Sequence, residues 1–318
     1  MNRRPTMAAR AGAYLAARRT LGLTLHIEGR QLLSFARWAD RECPRAPLSE
    51  ALALTWARAS ERATRVGQAR RLEVIRPFAR WLQAHEPDSE VPAAGLLGPA
   101  HPRPTPCLLS SAEISRLLAE AAKLAPHDGL RPRTFRTVFG LLACTGLRPG
   151  EAVRLARDDV DLDAGRLRIR NTKFHKSRLV PLHATAVRAL RAYSRVRDRH
   201  VPRPTCDQFF LLEGGRAATL RRTETAFQRV RQRLGWEAWS NRPRPRLYDL
   251  RHRFACERLA RWHATGRDVN ALLPALATYL GHVKVTDTYW YLTGVPSLLA
   301  ICAQRFERLV APPQGGRR

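Results

Sequence analysis

Near the C-terminal end of the chain stands Leu280-Gly281-His282. Nine residues after the histidine comes Tyr291, inside Thr288-Tyr289-Trp290-Tyr291-Leu292. A tyrosine hydroxyl becomes a nucleophile when a neighbouring group takes its proton and cations hold its target. Two arginines upstream have the right settings. Arg148 lies in Thr145-Gly146-Leu147-Arg148-Pro149-Gly150-Glu151, where Pro149 suits the first position of a helix and Glu151 the third. Arg148 would then stand beside free backbone N–H groups, a natural place for an oxyanion. The plainer reading is an ion pair with Glu151. Arg251 lies in Tyr248-Asp249-Leu250-Arg251-His252, three residues after Tyr248 and on the same helical face. An arginine and a hydroxyl so placed could clasp a phosphate. On one continuous helix, His282 and Tyr291 would point about 180° apart. A shared site therefore needs a break, for which the β-branched stretch from Val283 to Asp287 is suited. Tyr289 is the competing nucleophile, and the bland reading of either tyrosine is an aromatic packed in a helical core.

A lysine completes the set. Of the 56 basic residues only Lys123, Lys173, Lys176 and Lys284 are lysines. A GC-rich coding sequence would account for that ratio, but it makes each lysine informative. Leu167 and Ile169 alternate with Arg166, Arg168 and Arg170, the period of a half-buried strand, and Arg178-Leu179-Val180-Pro181-Leu182 returns after a turn at 171–177. Lys173 and Lys176 sit in that hairpin turn. A lysine amine can give up a proton, which an arginine cannot. An ordinary exposed turn lysine is the alternative.

The charge balance restricts the partner. The formal net charge is +29 over 318 residues. Residues 1–98 hold 16 basic and 9 acidic residues and the remainder 40 and 18, so both parts are basic. A basic tail on a neutral enzyme is excluded, and a polyanion is the expected partner. The hydrophobic fraction of 44% is enough for real cores. The six cysteines are scattered without a CxxC pair, which fits neither a disulfide framework nor a zinc site. No signal-peptide core and no run of about 18 apolar residues occurs. A reducing, cytoplasmic location without a membrane partner is expected, and the sequence offers no metal-spaced ligand set and no phosphate-binding loop, so no cofactor is expected.

The elements that would position these residues are mostly helical. Residues 1–22 read as a short helix or arm. Helical spacing runs from Leu25 to Glu42, from a Ser49 cap to Arg58, and from Ser60 to Gln83, where Pro77 should kink or split the helix. The last of these carries Arg62, Arg65, Arg70, Arg71 and Arg76 with few carboxylates nearby, a candidate DNA-backbone surface or else a solvated face. Six prolines between Glu86 and Pro106 read as the connection between two domains. The second domain opens with a capping box at Ser110 and Glu113. A helix follows from Arg133 to Thr145, then the hairpin, a basic helix at 184–200, a short strand at Phe209–Leu212, a helix from Thr219 to Leu234, a Pro/Arg loop at Asn241–Arg246 and a helix opened by Tyr248. The fold class expected is mainly α with a small β-hairpin or sheet. The boundaries expected are 1–98 for a helical DNA-binding domain, 99–107 for a linker and 108–318 for a catalytic domain.

Thr-Gly-Leu-Arg-x-x-Glu, a hairpin lysine, x-x-Leu-Arg-His, Leu-Gly-His and a tyrosine nine residues later resemble, in order and spacing, the tyrosine recombinase (phage integrase) family over residues 109–295. The helical first third is similar to that family's core-binding domain. The resemblance implies a DNA enzyme in which Tyr291 attacks the scissile phosphate, leaving a 3′-phosphotyrosyl link and a free 5′-hydroxyl. It implies that Arg148 and Arg251 hold the non-bridging oxygens, Lys173 protonates the leaving oxygen with Lys176 as the alternative, His282 hydrogen-bonds the phosphate and Glu151 braces the arginine helix. It also implies duplex DNA as partner, a homo-tetramer or mixed recombinase tetramer on two DNA sites, a nucleoid-associated place in the cytoplasm, and integration or excision of a mobile element. A C-terminal helix at Leu298–Leu309 would dock on a neighbouring subunit or on its own domain. One position departs from the family pattern: Tyr248 stands where histidine is usual, and a phenol is a poor base at neutral pH. His252 is then a candidate to take the proton of Tyr291. Three other readings stand beside this one: a type IB topoisomerase-like enzyme, a catalytically decayed DNA-binding protein on the same fold, and an Arg-rich RNA-binding protein without an RNP or KH signature.

Overall fold

The computed structural model describes residues 4–60, 63–102, 105–170, 177–237 and 243–293. Arg62, Lys173, Lys176 and the Leu298–Leu309 segment lie outside the described residues. The chain divides into two compact units, Met1–Pro104 and Thr105–Arg318, inside the stretch expected to link them.

The first unit is four helices, α1 (Met7–Thr20), α2 (His26–Glu42), α3 (Glu50–Arg58) and α4 (Arg65–Gln83). Hydroxyls of Thr6, Ser49 and Thr64 start α1, α3 and α4 by accepting from the N–H groups of Ala9, Leu52 and Gly67 at 3.2, 3.1 and 3.2 Å. The 3.6-residue stripe of α2 (Leu32, Phe35, Ala36, Ala39) and that of α4 (Leu72, Ile75, Phe78, Leu82) form one buried core with Trp56.

Three expectations are corrected in this unit. Helix α4 runs through Pro77 without splitting. Ile75, Phe78, Ala79 and Leu82 pin both halves into the core while residue 77 faces outward. The proline-rich stretch is largely folded back on its own unit: Glu90 N–H donates to Leu48 O at 2.7 Å, Ala93 N–H to Glu50 at 2.9 Å, and the Arg70 and Arg76 guanidiniums to the carbonyls of Ala100 and Pro92 at 2.9 Å each. The arginines are not uniformly free either. Arg65 and Arg70 are exposed, but Arg71 lies 3.8 Å over the Trp56 ring and donates to Trp56 O at 2.7 Å, and Arg76 pairs with Glu73 at 3.1 Å.

The second unit is built around α6 (Leu130–Thr145), which packs against α5 (Ser111–Ala121), α8 (Ala184–His200) and α10 (Asp249–Ala264). Ser110 and Glu113 form the expected capping box on α5. After the short α7 (Pro149–Val153), strands β1 (Val160–Asp161), β2 (Arg166–Ile169) and β3 (Arg178–Pro181) make an antiparallel sheet in that order. Its register sets Leu167 against Val180 and Ile169 against Arg178, so all four share one face. Phe209–Leu212 is not the strand expected. All four residues are buried, and with Gly214 and Gly215 both at positive φ the chain reverses so soon that one bridge, Leu211 to Ala217, forms. Helix α9 (Leu220–Arg233) precedes α10, and α11 (Val269–Leu280) and α12 (Thr286–Thr293) close the described chain.

Gly146 fixes how α6 meets the residues after it. It ends α6 at φ 62°, and a Cβ there would come within 2.5 Å of the Phe254 ring and 3.1 Å of Leu280. Gly146→Ala should therefore cost roughly 2–4 kcal/mol, from left-handed backbone strain plus overpacking. Urea unfolding measures it, and an unchanged midpoint would refute the close packing of α6, α10 and α11 at this point.

Candidate active site

Helix α11 ends at Gly281, which adopts the left-handed conformation (φ 72°). The N–H of His282 returns to Ala277 O at 2.9 Å, a helix-ending pattern that leaves the last carbonyls pointing out without helical partners. Three arginines take them in succession. Arg178 Nε donates to Tyr279 O at 2.8 Å, Arg251 Nη2 to Leu280 O at 2.9 Å and Arg148 Nη2 to Gly281 O at 2.8 Å. Arg251 also donates to Gly146 O at 2.8 Å. Its 1% exposure depresses its pKa by desolvation, opposed by the nearby Tyr291 and Tyr248 hydroxyls. The close fit explains the glycine: a Cβ on Gly281 would lie 2.6 Å from an Arg178 nitrogen.

Glu151 ties two of these cations together. Its carboxylate accepts from Arg148 Nη1 at 2.8 Å, from Arg178 Nη1 and Nη2 at 3.2 and 2.8 Å, and from the backbone N–H of Arg148 at 3.1 Å. Burial pushes the carboxyl pKa up, but the hydrogen bonds and charge of Arg178, then Arg148, outweigh it and hold the value at about 2. The ion pair with Glu151 and the anion-ready position of Arg148 coexist, because the Arg148 side chain keeps 31% exposure. It opens on a hollow of about 730 Å³ that Arg154, Arg244, Arg246 and Tyr248 also line.

The break expected between His282 and Tyr291 is present at residues 281–285, and α12 starts at Thr286. The turn brings Tyr291 back beside His282. Their rings are nearly parallel, 13° apart, with centroids at 5.9 Å, and the His252 ring lies 5.5 Å from Tyr291 on α10. Tyr291 is 3% exposed, whereas Tyr289 is 46% exposed. Burial raises the Tyr291 pKa, and the charge and hydrogen bond of Arg251 oppose that rise. Desolvation lowers both His252 and His282 to about 4, so both rings are neutral near pH 7. Tyr248 is half-exposed at the start of α10 and packs edge-on against His252 at 5.0 Å. The Arg251 guanidinium turns to the carbonyls and to His282 Nε2 at 2.8 Å, while Tyr248, 39% exposed, keeps its hydroxyl close enough to act on the Arg251 charge.

Arg148, Glu151, Arg251, His282 and Tyr291 therefore converge, with His252 against the tyrosine. Two residues of the cluster were not singled out in the sequence. Arg178 had a readable signal, since period-2 alternation puts it on the same face as the buried Val180, and a charge facing inward needs a buried partner. Thr288 is fully buried, one helical turn before Tyr291, and its hydroxyl lies 2.7 Å from His282 Nδ1.

Comparison with known proteins places this geometry in a family. Residues 108–294 match the phage integrase family. The chain is 39% identical over 300 residues to integrase/recombinase y4rB of Sinorhizobium fredii, covering 93% of this chain and 95% of that protein. It is 32% identical over 228 residues to tyrosine recombinase XerD of Rhizobium meliloti, covering 70% and 68%. In fold it resembles the Tn1549 transposon integrase in complex with transposon right end DNA, with a TM-score of 0.68, 16% identity, and 96% and 100% of the two chains covered. The chain belongs to the phage integrase family and is a tyrosine-type site-specific recombinase.

The buried carboxylate gives a pH signature. The folded pKa of Glu151 lies below its ordinary 4.5, so its stabilisation is fully present above about pH 5 and is lost as pH falls toward 2. Between those limits the wild type should lose on the order of 2–3 kcal/mol more than Glu151→Gln. Denaturant unfolding at several pH values measures the difference, and parallel pH curves for the two proteins would refute the pairing.

Proposed function

We propose that this recombinase cleaves and rejoins duplex DNA at defined sites through a covalent 3′-phosphotyrosyl link to Tyr291, in the service of a mobile element. The observation that carries the reading is the placement of Tyr291, buried between His282 and His252 and next to a set of arginines with a single shared carboxylate. The hydroxyl oxygen of Tyr291 attacks phosphorus and the bond to the 5′-oxygen breaks. Arg148 and Arg251 hold the non-bridging oxygens, whose negative charge grows as the bonds exchange. His282 hydrogen-bonds the phosphate. Lys173, with Lys176 as the alternative, gives a proton to the leaving 5′-oxygen. Glu151 braces Arg148.

The proton of Tyr291 goes to His252, which is neutral and lies against the phenol, because Tyr248 occupies the usual place of a histidine. Tyr248 faces the basic hollow and donates a hydrogen bond to DNA from there. Arg65 and Arg70 contribute backbone contacts on the first unit, with Arg62 beside them in sequence and Arg71 largely committed to Trp56. The reaction proceeds without metal or nucleotide, since the phosphotyrosyl bond conserves the energy of the bond it replaces. The assembly is a tetramer on two DNA sites, in the cytoplasm at the nucleoid. Among the described residues no helix is long and apolar enough to cross a membrane. A catalytically decayed DNA-binding protein is the second reading, favoured by Tyr248 alone.

The test uses a nicked duplex carrying a site the protein itself selects from random-sequence DNA. Wild type should form an adduct that survives heat and detergent, Tyr291→Phe should form none, and Tyr289→Phe should form it normally. An adduct with Tyr291→Phe, or none with wild type, would sink the reading. Because many phosphates are contacted, affinity should drop by roughly 10³-fold or more between 50 and 200 mM salt; a flat salt response in a titration would contradict the basic DNA-binding surface.

A further inference from the structure

His282 makes two hydrogen bonds, and their partners determine where its proton sits. Nε2 lies 2.8 Å from Arg251 Nη2, and Nδ1 lies 2.7 Å from Thr288 Oγ1. A guanidinium has donors and no acceptor, so Nε2 must accept. The ring is half-buried and neutral near pH 7, so the proton is on Nδ1 and is donated to the Thr288 hydroxyl. In this tautomer His282 has no N–H to offer from Nε2, the edge that faces the arginines. A ring that donates to a phosphate oxygen from that edge must carry its proton on Nε2 instead. Nδ1 then becomes an acceptor inside the protein and needs a donor.

A backbone carbonyl or a carboxylate at position 288 would serve the first tautomer and oppose the second. A hydroxyl serves both, because it rotates and exchanges donor for acceptor. Thr288 has 0% exposure, so water does not substitute for it. It also lies one turn before Tyr291 on α12, so the same hydrogen bond fastens the nucleophile's helix to the histidine.

We propose that Thr288 is a positioning residue whose reversible hydroxyl lets His282 pass from the Nδ1–H form of the free protein to the Nε2–H form that meets the DNA phosphate. When phosphate draws the Arg251 donor away, Nε2 takes a proton from water at the partly exposed ring and the Nδ1 proton passes to water in return. The imidazole is neutral in both forms, and the Thr288 O–H turns to donate to Nδ1. The inference rests on the reading that His282 hydrogen-bonds the scissile phosphate.

The experiment measures adduct formation by the full chain on the nicked selected site at saturating protein, together with DNA affinity. Thr288→Val keeps the side-chain shape and removes the hydroxyl. It should slow cleavage by up to the roughly 10²-fold that loss of one charge-stabilising donor costs, with unchanged affinity. Thr288→Ser should restore most of the rate. In a His282→Ala background, Thr288→Val should have no further effect. Normal cleavage by Thr288→Val beside slow His282→Ala overturns this inference and leaves the phosphate role of His282 intact. Equal loss in the Val and Ser variants, or additive loss with His282→Ala, also overturns it. Normal cleavage by His282→Ala overturns the reading beneath it. A second measurement needs no Thr288 variant. In the Tyr291→Phe protein labelled with 15N-histidine, the His282 signal should be that of Nδ1–H without DNA and of Nε2–H on the uncleaved duplex. A signal that stays Nδ1–H on DNA overturns the proposal.

Discussion

The catalytic unit depends on the open end of α11. A helix that stops leaves its final carbonyls without N–H partners, and burying them unpaired is expensive. Here the carbonyls of residues 279, 280 and 281 are met by arginines from three separate parts of the chain, on β3, in α10 and before α7. The benefit is mutual, since a desolvated guanidinium such as that of Arg251 also needs acceptors. The negative end of the helix dipole faces these cations and partly offsets their repulsion. Glu151 supplies a full charge to Arg148 and Arg178. The balance stays positive, as a site for an anion requires.

The same helix end places the nucleophile. Gly281 in the left-handed conformation turns the chain out of α11, and the turn through residue 285 lets α12 start in a new direction. Without it His282 and Tyr291 would face opposite ways. With it Tyr291 joins a small core of Phe254, Leu259, Leu273 and Leu280, and its ring meets two imidazoles. The glycine of Leu-Gly-His is thus required twice, by the turn and by the Arg178 side chain pressed against it.

Much of this was legible in the sequence where the signal is local. The capping box of Ser110 and Glu113, Pro149 and Glu151 at the start of α7, the alternation of Leu167 and Ile169, and the break after His282 each depend on residues within one or two turns, and each is present. Contacts across sequence distance were not legible. Arg178 reaches Glu151 over 27 residues and Tyr279 over 101, and no local pattern names those partners. The partner of Arg71 on α4 was hidden for the same reason, because Trp56 is 15 residues away in the chain. The strand expected at Phe209–Leu212 had the right composition, but burial of four consecutive residues served a core contact and not a ladder. Pro77 was tolerated because core packing on both sides outweighed one lost hydrogen bond.

The electrostatics also bear on when the tyrosine can react. Burial holds Tyr291 above its ordinary pKa of 10.0, and the same burial holds His252 at about 4. Moving the proton from one to the other in the free protein is uphill, because burial raises the phenol and lowers the imidazole. Arg251 meanwhile is engaged with Gly146, Leu280, His282 and the Tyr291 hydroxyl. The site is therefore assembled before any anion enters it. An anion beside the neutral histidines raises their pKa, and one that competes for the arginines frees Nε2 of His282. Binding of the phosphate and readiness of its attacker are consequently coupled by the same few side chains, and the Tyr248 phenol borders that cluster, against His252 and within reach of the charges of Arg251 and Tyr291.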